Sequence, residues 1–328
     1  MWRKRLGSGS RYCWSIGETN PMTKNRRTHA LVLDFAVVFM PLACIMIFPS
    51  NSAARSVPKF PASSIHQMVV NVAWNEMQAS EHPTHYYRYI QRSISPDGSR
   101  TTDEIASPNG RVARLIEVDQ HTPSPQQIQT NEQLLDKLPG DPQLQQSRFK
   151  DQQNNTLRRD NVIKDIPSAF VYTYAGTDPQ GLIMLKFKPA PGFMPSSRQS
   201  LILEGMAGKL WVDPKTQRMV KIDGTLIKDV KIGWGFLARL NQGGTFLLEQ
   251  SQGPDGDWHQ KLLSVHFDGT ELIFKHIHIR VKLIRCCFKQ VPDNLSIRAA
   301  VHMLLAKIQL PEDWQSRLDA IQKSRASN

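Results

Sequence analysis

Turn signals recur along the second half of the chain, and their spacing limits the folds that this sequence can adopt. They are Asn241-Gln-Gly-Gly244, Pro254-Asp-Gly-Asp257 and Asp268-Gly269. The segments between them are rich in β-branched and aromatic residues, which is typical of strands. Strands joined by turns at intervals of roughly 8–12 residues pair with their neighbours in sequence. We therefore predict one large, curved antiparallel sheet.

The most specific of the predicted hairpins spans Gly208–Asp223. Apolar residues at Leu210 and Val212 alternate with polar or amphipathic ones, so one face of this strand is apolar. Asp213-Pro-Lys-Thr216 is typical of a type I turn, because proline presets φ at the second turn position. Val220 and Ile222 are expected to return on the second strand.

A helix and three further strands are predicted upstream. Apolar residues near helical spacing within 62–79 favour a helix that lies against the sheet. Ser95-Pro-Asp-Gly98 joins two predicted strands, and Asn109-Gly110 opens a third.

Residues 119–165 differ in composition from the strands around them. They are rich in Gln, Asn, Lys, Arg and Asp, with few apolar residues. We interpret them as a polar helical insertion, and the alternative is a partly disordered charged arm. Two C-terminal helices are expected within 296–325, the first capped by Ser296 and the second begun by Pro311.

Together these elements predict an α+β fold. Its centre is a large curved antiparallel β-sheet, an incomplete β-barrel, with helices covering one side and a helical insertion. Residues 55–328 are expected to form a single domain.

Residues 1–54 have the features of a targeting leader. A basic cluster at Lys24–Arg27 precedes an apolar run, Ala30–Phe48, which contains one acidic residue and one proline. Small residues follow at Ser52-Ala-Ala54. This order of basic, apolar and small residues is typical of a cleaved signal peptide.

The expected start of the protein is Met22, so that residues 1–21 are an over-extended beginning. The run of 19 residues from 30 to 48 is also long enough for a retained anchor. We therefore expect an exported protein of the periplasm or cell envelope. Anchoring in the inner membrane through residues 30–48 is the alternative.

The net charge of +12 divides into +5 in the leader and +7 in the rest of the chain. Residues 1–54 contain seven Lys or Arg and two Asp or Glu, whereas the remainder contains 34 and 27. An excess of +7 over so long a segment is a mild bias. It gives no reason to expect nucleic acid as a partner, and a membrane surface remains a candidate.

Cys286 and Cys287 are the only cysteines that follow the leader, and they are adjacent. A long-range disulfide framework is therefore excluded within residues 55–328. We expect two small, partly buried residues on a strand.

The motif Gly-x-Leu-Trp-Val-Asp-Pro-x-Thr, at Gly208–Thr216, resembles a hairpin of the periplasmic lipoprotein-carrier fold. That family includes proteins that sort lipoproteins to the outer membrane. The order of helix, three strands, helical segment and long antiparallel run is similar as well. The resemblance implies an incomplete barrel closed on one side by helices, with an apolar cavity beneath them that binds acyl chains.

A closer resemblance, over roughly residues 62–305, is to exported bacterial proteins that are related to this fold and have no defined function. It is carried by four segments, Phe170–Gly176, Asp229–Gly233, Gly243–Phe246 and Leu263–Phe267. This resemblance implies fold and export, and no activity.

No nucleotide-binding loop, nucleophile elbow or His-Glu-x-x-His motif is present in the sequence. We therefore expect a non-catalytic protein without a cofactor. The predicted function is binding of an apolar or amphipathic ligand, either a lipid or an acylated protein. The alternative is a structural or interaction protein of the envelope without a small-molecule ligand. The sequence does not indicate an oligomeric state.

Aromatic residues at strand positions are the candidate ligand contacts, since they could line a concave surface; the alternative is that they form core. They are Tyr87, Tyr89, Phe170, Tyr172, Tyr174, Trp211 and Trp258.

Three histidines are weak candidates for a metal site. His276 and His278 share one face of a predicted strand, and His266 lies on the strand before it, across the expected Asp268-Gly269 turn. Imidazoles placed in this way could reach one ion. The alternative, a solvated outer face, is the simpler interpretation, so no metal is expected.

Overall fold

The structure, a computed structural model, describes residues 62–232, 238–271, 275–306 and 310–323. The predicted leader, its apolar run and Met22 lie outside the described residues. No helix in the described ranges is long and apolar enough to cross a membrane.

Twelve strands form the described part of the sheet. They are β1 (Tyr86–Ser95), β2 (Gly98–Ser107), β3 (Gly110–Val118), β4 (Phe170–Thr177), β5 (Ile183–Pro189), β6 (Met206–Val212), β7 (Met219–Leu226), β8 (Val230–Ile232), β9 (Ala238–Leu240), β10 (Thr245–Gln252), β11 (Trp258–Glu271) and β12 (Lys275–Val291).

The helices of the described residues fall before, within and after this series of strands. They are α1 (Ala62–Glu81), α2 (Pro125–Lys137), α3 (Pro142–Ala169), α4 (Ile297–Leu305) and α5 (Trp314–Lys323), with short 3-10 turns at Leu138–Gly140 and Gln199–Gly205.

The sheet is antiparallel and open. Its strand order is β3-β2-β1-β12-β11-β10-β7-β6-β5-β4, and the β8–β9 hairpin joins it through β11. Strands β3 and β4 are the two edges, so the sheet is not closed into a barrel. The predicted α+β fold with a large antiparallel sheet is confirmed.

We call the face of the sheet that α1 and α3 cover the inner face. Alternate residues of β11 illustrate how the sequence builds it, since Leu263, Val265 and Phe267 are all buried in the largest apolar cluster. Val69 of α1 and Val162 of α3 belong to the same cluster. The periodicities of 2 in the strand and 3.6 in the helix thus bring these side chains together.

The opposite side, the outer face, carries a second layer over one end of the sheet. Leu262 and Ile284 point to this side and pack with Leu318 of α5. Helix α4 packs against β2 and β3, where Ile105 and Val112 are buried.

The insertion 119–165 folds onto the sheet. Helix α2 begins with a capping box at Ser124. Asn131 of α2 accepts a hydrogen bond from the backbone N–H of Leu115 at 3.0 Å, at the edge strand β3. This contact satisfies an edge amide that would otherwise be open to another strand. Helix α3 then crosses to the inner face.

Asp268-Gly269, predicted as the turn between two strands, lies inside β11, and that prediction is wrong. The glycine serves close packing instead of a turn. A Cβ at Gly269 would lie 2.1 Å from the carbonyl oxygen of Arg239 on β9, so only glycine permits the pairing of β9 with β11.

Both cysteines lie on β12 as expected, and both are free thiols. Cys287 has φ of 63° and lies where the β1–β12 register shifts. The irregularity is a β-bulge, which explains the left-handed backbone at this residue.

Candidate functional site

A small apolar cavity lies on the inner face. Its volume is about 40 Å³, and among the described residues that line it Gln199 alone is polar. The other lining residues come from α3, the 199–205 turn and four strands, and they are Val162, Ile166, Ile202, Leu203, Met206, Met219, Ile222, Phe246, Val265 and Phe267. A buried water molecule needs several polar partners, and the largely apolar lining does not supply them, so such a space stays dry.

The loop between β5 and the 199–205 turn borders this cavity and is held to α3 by one carboxylate. The buried side chain of Asp165 accepts hydrogen bonds from the backbone N–H and the hydroxyl of Ser196, at 2.9 and 2.8 Å. Met194 in the same loop is 86% exposed. Asp165 and Ser196 therefore form a polar clamp beside an otherwise apolar space.

Helix α1 is fixed to the inner face by a buried ion pair. The guanidinium of Arg218 donates to Glu76 at 2.9 Å (Nε to Oε1). The same carboxylate accepts from the backbone N–H of Met219 at 3.0 Å and from Gln250 Nε2 at 3.0 Å. Full hydrogen bonding of this kind is what makes a buried charge pair tolerable.

At the end of the sheet formed by β12, β1, β2 and β3, the inner face carries polar side chains in place of apolar ones. Glu104 is the centre of this region and is almost fully buried. It accepts hydrogen bonds from Tyr89 at 3.0 Å, Gln91 at 2.9 Å and Thr102 at 2.7 Å, and Arg111 lies 3.2 Å away.

Electrostatics in this region follow from burial and from the arginines. Burial, followed by the charge of Glu104, raises the pKa of Tyr89 to about 12. Burial also acts to raise the pKa of Glu104, but Arg111 and Arg285 outweigh it and leave that pKa below its ordinary value. Glu104 is therefore ionised and Tyr89 is a neutral hydrogen-bond donor at neutral pH.

Arg285 lies beside Glu104 and is 0% exposed. Its Nε donates to Gln91 Oε1 at 2.8 Å, and its guanidinium carbon lies 5.2 Å from the centre of the Tyr89 ring. Its two terminal nitrogens, Nη1 and Nη2, have no hydrogen-bond partner among the described residues. Burial lowers the pKa of Arg285, because the cation has lost its hydration.

A separate polar cluster surrounds Asp257, in the turn before β11. Its carboxylate accepts a short hydrogen bond from the hydroxyl of Tyr87 and lies 3.3 Å from His85 Nδ1. His259 follows, with Nε2 3.2 Å from Asp255. The predicted Pro254–Asp257 turn is thus present, and it also anchors β1.

The aromatic candidates fall into separate groups and do not line one surface. Phe170 and Tyr172 pack with Phe187 on the inner face. The ammonium group of Lys221 lies 4.7 Å from the centre of the Trp211 ring. Tyr87, Tyr89, Phe170 and Trp258 are buried, and Tyr172, Tyr174 and Trp211 are half-buried. None of the seven lines the apolar cavity described above.

The three candidate histidines are exposed on the opposite side of the sheet. Asp268 lies between two of them, 2.5 Å from His278 Nδ1 and 3.6 Å from His266 Nε2. His276 is opposite Thr270. Within the described ranges, no group of three or more His, Cys, Asp or Glu side chains could hold a metal ion.

Sequence reasoning missed the charged residues of the inner face. Glu76 continues the apolar stripe Ile65, Val69 and Val72 at helical spacing, and Arg285 continues the inward alternation of β12. The signal available in the sequence was a charged residue at a position where the periodicity of the helix or strand predicts an apolar one.

No protein-family model, curated protein or solved structure matches this chain. The resemblance to the lipoprotein-carrier fold therefore stays a prediction.

Proposed function

We propose that this chain is an exported, non-catalytic binding protein for an apolar or amphipathic ligand, a lipid or an acylated protein. The observation that carries the proposal is the dry apolar cavity between α3, the 199–205 turn and the sheet. Burial of an acyl chain in such a space contributes about 0.8 kcal/mol per CH₂ group.

The cavity of about 40 Å³ must widen before it holds a chain of many methylene groups. The opening motion we propose is separation of the 190–205 segment from α3. The polar clamp between Asp165 and Ser196 is the contact that this motion breaks, and the exposed Met194 lies at the same place. Helix α3, the 199–205 helical turn and the loop that precedes this turn then act as a lid over the cavity.

Native mass spectrometry of the full chain, purified without detergent, tests this function. The probe is monopalmitoylglycerol, an uncharged lipid. We expect a 1:1 adduct with the wild type and a loss of most of it in Val265→Phe, because the larger side chain fills the cavity. The matched control is Val171→Phe, at an exposed position on the outer face of β4.

Equal adduct in Val265→Phe and the wild type would show that the lipid binds elsewhere. A wild type that binds no lipid would remove the function altogether.

The second candidate, an envelope interaction protein without a small ligand, is favoured by apolar side chains exposed on the covering helices. Trp74 of α1 is 57% exposed, although the helical pattern placed it among the buried residues, and Leu157 of α3 is 62% exposed. A clean apo mass in the same experiment would favour this role.

A further inference from the structure

A buried guanidinium with two unpartnered nitrogens is an unusual feature of a folded interior. The side chain of Arg285 is fully buried, yet its only hydrogen bond of the described structure runs from Nε to Gln91. A buried polar group without a partner destabilises a fold, and the destabilisation is larger when the group is charged. Nη1 and Nη2 are nitrogens through which an arginine side chain can donate parallel hydrogen bonds to an oxyanion.

Two further guanidinium groups belong to this region, Arg111 beside Arg285 and Arg148 beside Arg111. Arg111 contacts Glu104, and Arg148 of α3 is close enough to Arg111 for the two charges to repel. Burial and then Arg111 lower the pKa of Arg148. We call Arg111, Arg148 and Arg285 the arginine cluster. Glu104 is the carboxylate that contacts Arg111 of this cluster.

We propose that the arginine cluster binds the phosphate group of an amphipathic ligand, with Nη1 and Nη2 of Arg285 donating to two of its oxygens. A phosphate monoester carries about −1.5 to −2 at neutral pH, so a site with several guanidinium groups favours it over a singly charged carboxylate. This inference rests on the proposed function and names the head group that the site would select.

The arginine cluster and the apolar cavity are close enough together for one amphipathic ligand to contact both. Val265, which lines the cavity, pairs with Val281 of β12, and Arg285 lies four residues further along the same strand on the same face. At 3.3 Å per residue the separation is about 13 Å. Helix α3 covers both places, since Val162 lines the cavity and Arg148 belongs to the cluster. The Arg111 side chain is 33% exposed, so the cluster is open to solvent there.

Two variants on one strand provide the test. Arg285→Met removes the guanidinium and keeps an apolar side chain of similar length. Arg280→Gln changes an arginine on the outer face of β12, where it contacts Asp268 at 2.8 Å. Each full-length protein is measured with inorganic phosphate by thermal shift at constant ionic strength. Each is also measured with palmitoyl lysophosphatidic acid and monopalmitoylglycerol by native mass spectrometry.

We expect phosphate to raise the Tm of the wild type and of Arg280→Gln but not of Arg285→Met. The phospholipid should bind the wild type at least about tenfold more tightly than the uncharged lipid, as charge-assisted hydrogen bonds of ordinary strength allow. Arg285→Met should bind both lipids alike.

Other outcomes separate the two proposals. Equal binding of both lipids by the wild type overturns the phosphate site and leaves the lipid-binding function intact. A phosphate response that depends on Arg285, without binding of either lipid, supports an anion site for free phosphate and overturns the amphipathic ligand. An Arg285→Met protein that still responds to phosphate and prefers the phospholipid overturns the role of Arg285. If this variant does not fold, Arg285→Lys takes its place, because one ammonium cannot donate from two fixed positions.

Discussion

At the scale of single residues, the inner face is organised by charged side chains that lie among apolar ones. Glu76 and Arg218 connect α1 to the Gly208–Asp223 hairpin, 142 positions away along the chain. Arg285 and Glu104 organise the polar end of the same face. Each such group is costly to bury and is stabilised only by specific partners. These residues therefore fix where the covering helices lie on the sheet.

His259 is the residue from which we expect a pH effect. It is 3% exposed and stacks on Phe288, with ring centres 4.2 Å apart. Burial lowers its pKa, against an opposing effect of Asp255. The neutral ring is therefore favoured in the folded state, whereas the same histidine in the unfolded chain has a pKa of about 6.5. Its contribution to stability is present above that pH and is lost as the pH falls.

We expect His259→Gln to flatten the loss of unfolding free energy between about pH 7 and 5, measured by urea denaturation at several pH values. Tyr87, His85, Asp255, Asp257 and Lys261 also face this site or act on it. The control is His276→Gln, at an exposed position. Parallel pH profiles for His259→Gln and the wild type would contradict the assignment.

At the scale of elements, the β6–β7 hairpin depends on a close approach of two backbones. Gly208 pairs directly with Gly224. A Cβ at Gly208 would lie 1.9 Å from the carbonyl oxygen of Asp223. The strands must therefore separate locally to admit any side chain at this position.

Gly208→Ala should lower the free energy of unfolding by about 1–3 kcal/mol, the usual range for overpacking, or by more. The measurement is the urea midpoint followed by circular dichroism. Gly140→Ala is the matched control, because nothing lies within 4 Å of its added Cβ. An unchanged midpoint for Gly208→Ala would mean that the two strands are further apart than described.

At the scale of the whole molecule, one sheet connects two apolar layers. Neighbouring residues of β11, Leu262 and Leu263, belong to the outer and inner clusters respectively. On β12, Leu283 packs against the inner cluster and its neighbour Ile284 belongs to the outer one. Loss of packing on one side should therefore weaken the strands that support the other.

We expect Glu76→Ala on the inner side and Leu318→Ala on the outer side to shift the same thermal transition. Breaking a buried ion pair costs about 3–5 kcal/mol, and Leu→Ala in a core costs about 2–5 kcal/mol. Scanning calorimetry should show one shifted peak in each case, whereas Leu157→Ala, at an exposed position, should change little. A separate early transition in Leu318→Ala would contradict a single cooperative unit.

Local patterns account for most of the elements. Alternating apolar residues predict β6, β7 and β10, and the capping residues at Ser124 and Ser296 lie at helix starts. Asp268-Gly269 shows the limit of such patterns, because a dipeptide typical of turns can also permit close packing inside a strand. Burial of Glu76 and Arg285 was visible only as a break in an apolar pattern, and their partners were not visible.

The sequence by itself determined the fold class, because helix caps, turns and the periodicity of apolar residues act within a few positions of the chain. The tertiary structure alone decided which charged residues meet on the inner face. Gln91 and Arg285 are separated by 194 positions, and Glu76 and Gln250 by 174. Such contacts depend on sheet register and strand order, which bring distant side chains to one place and which no local pattern encodes.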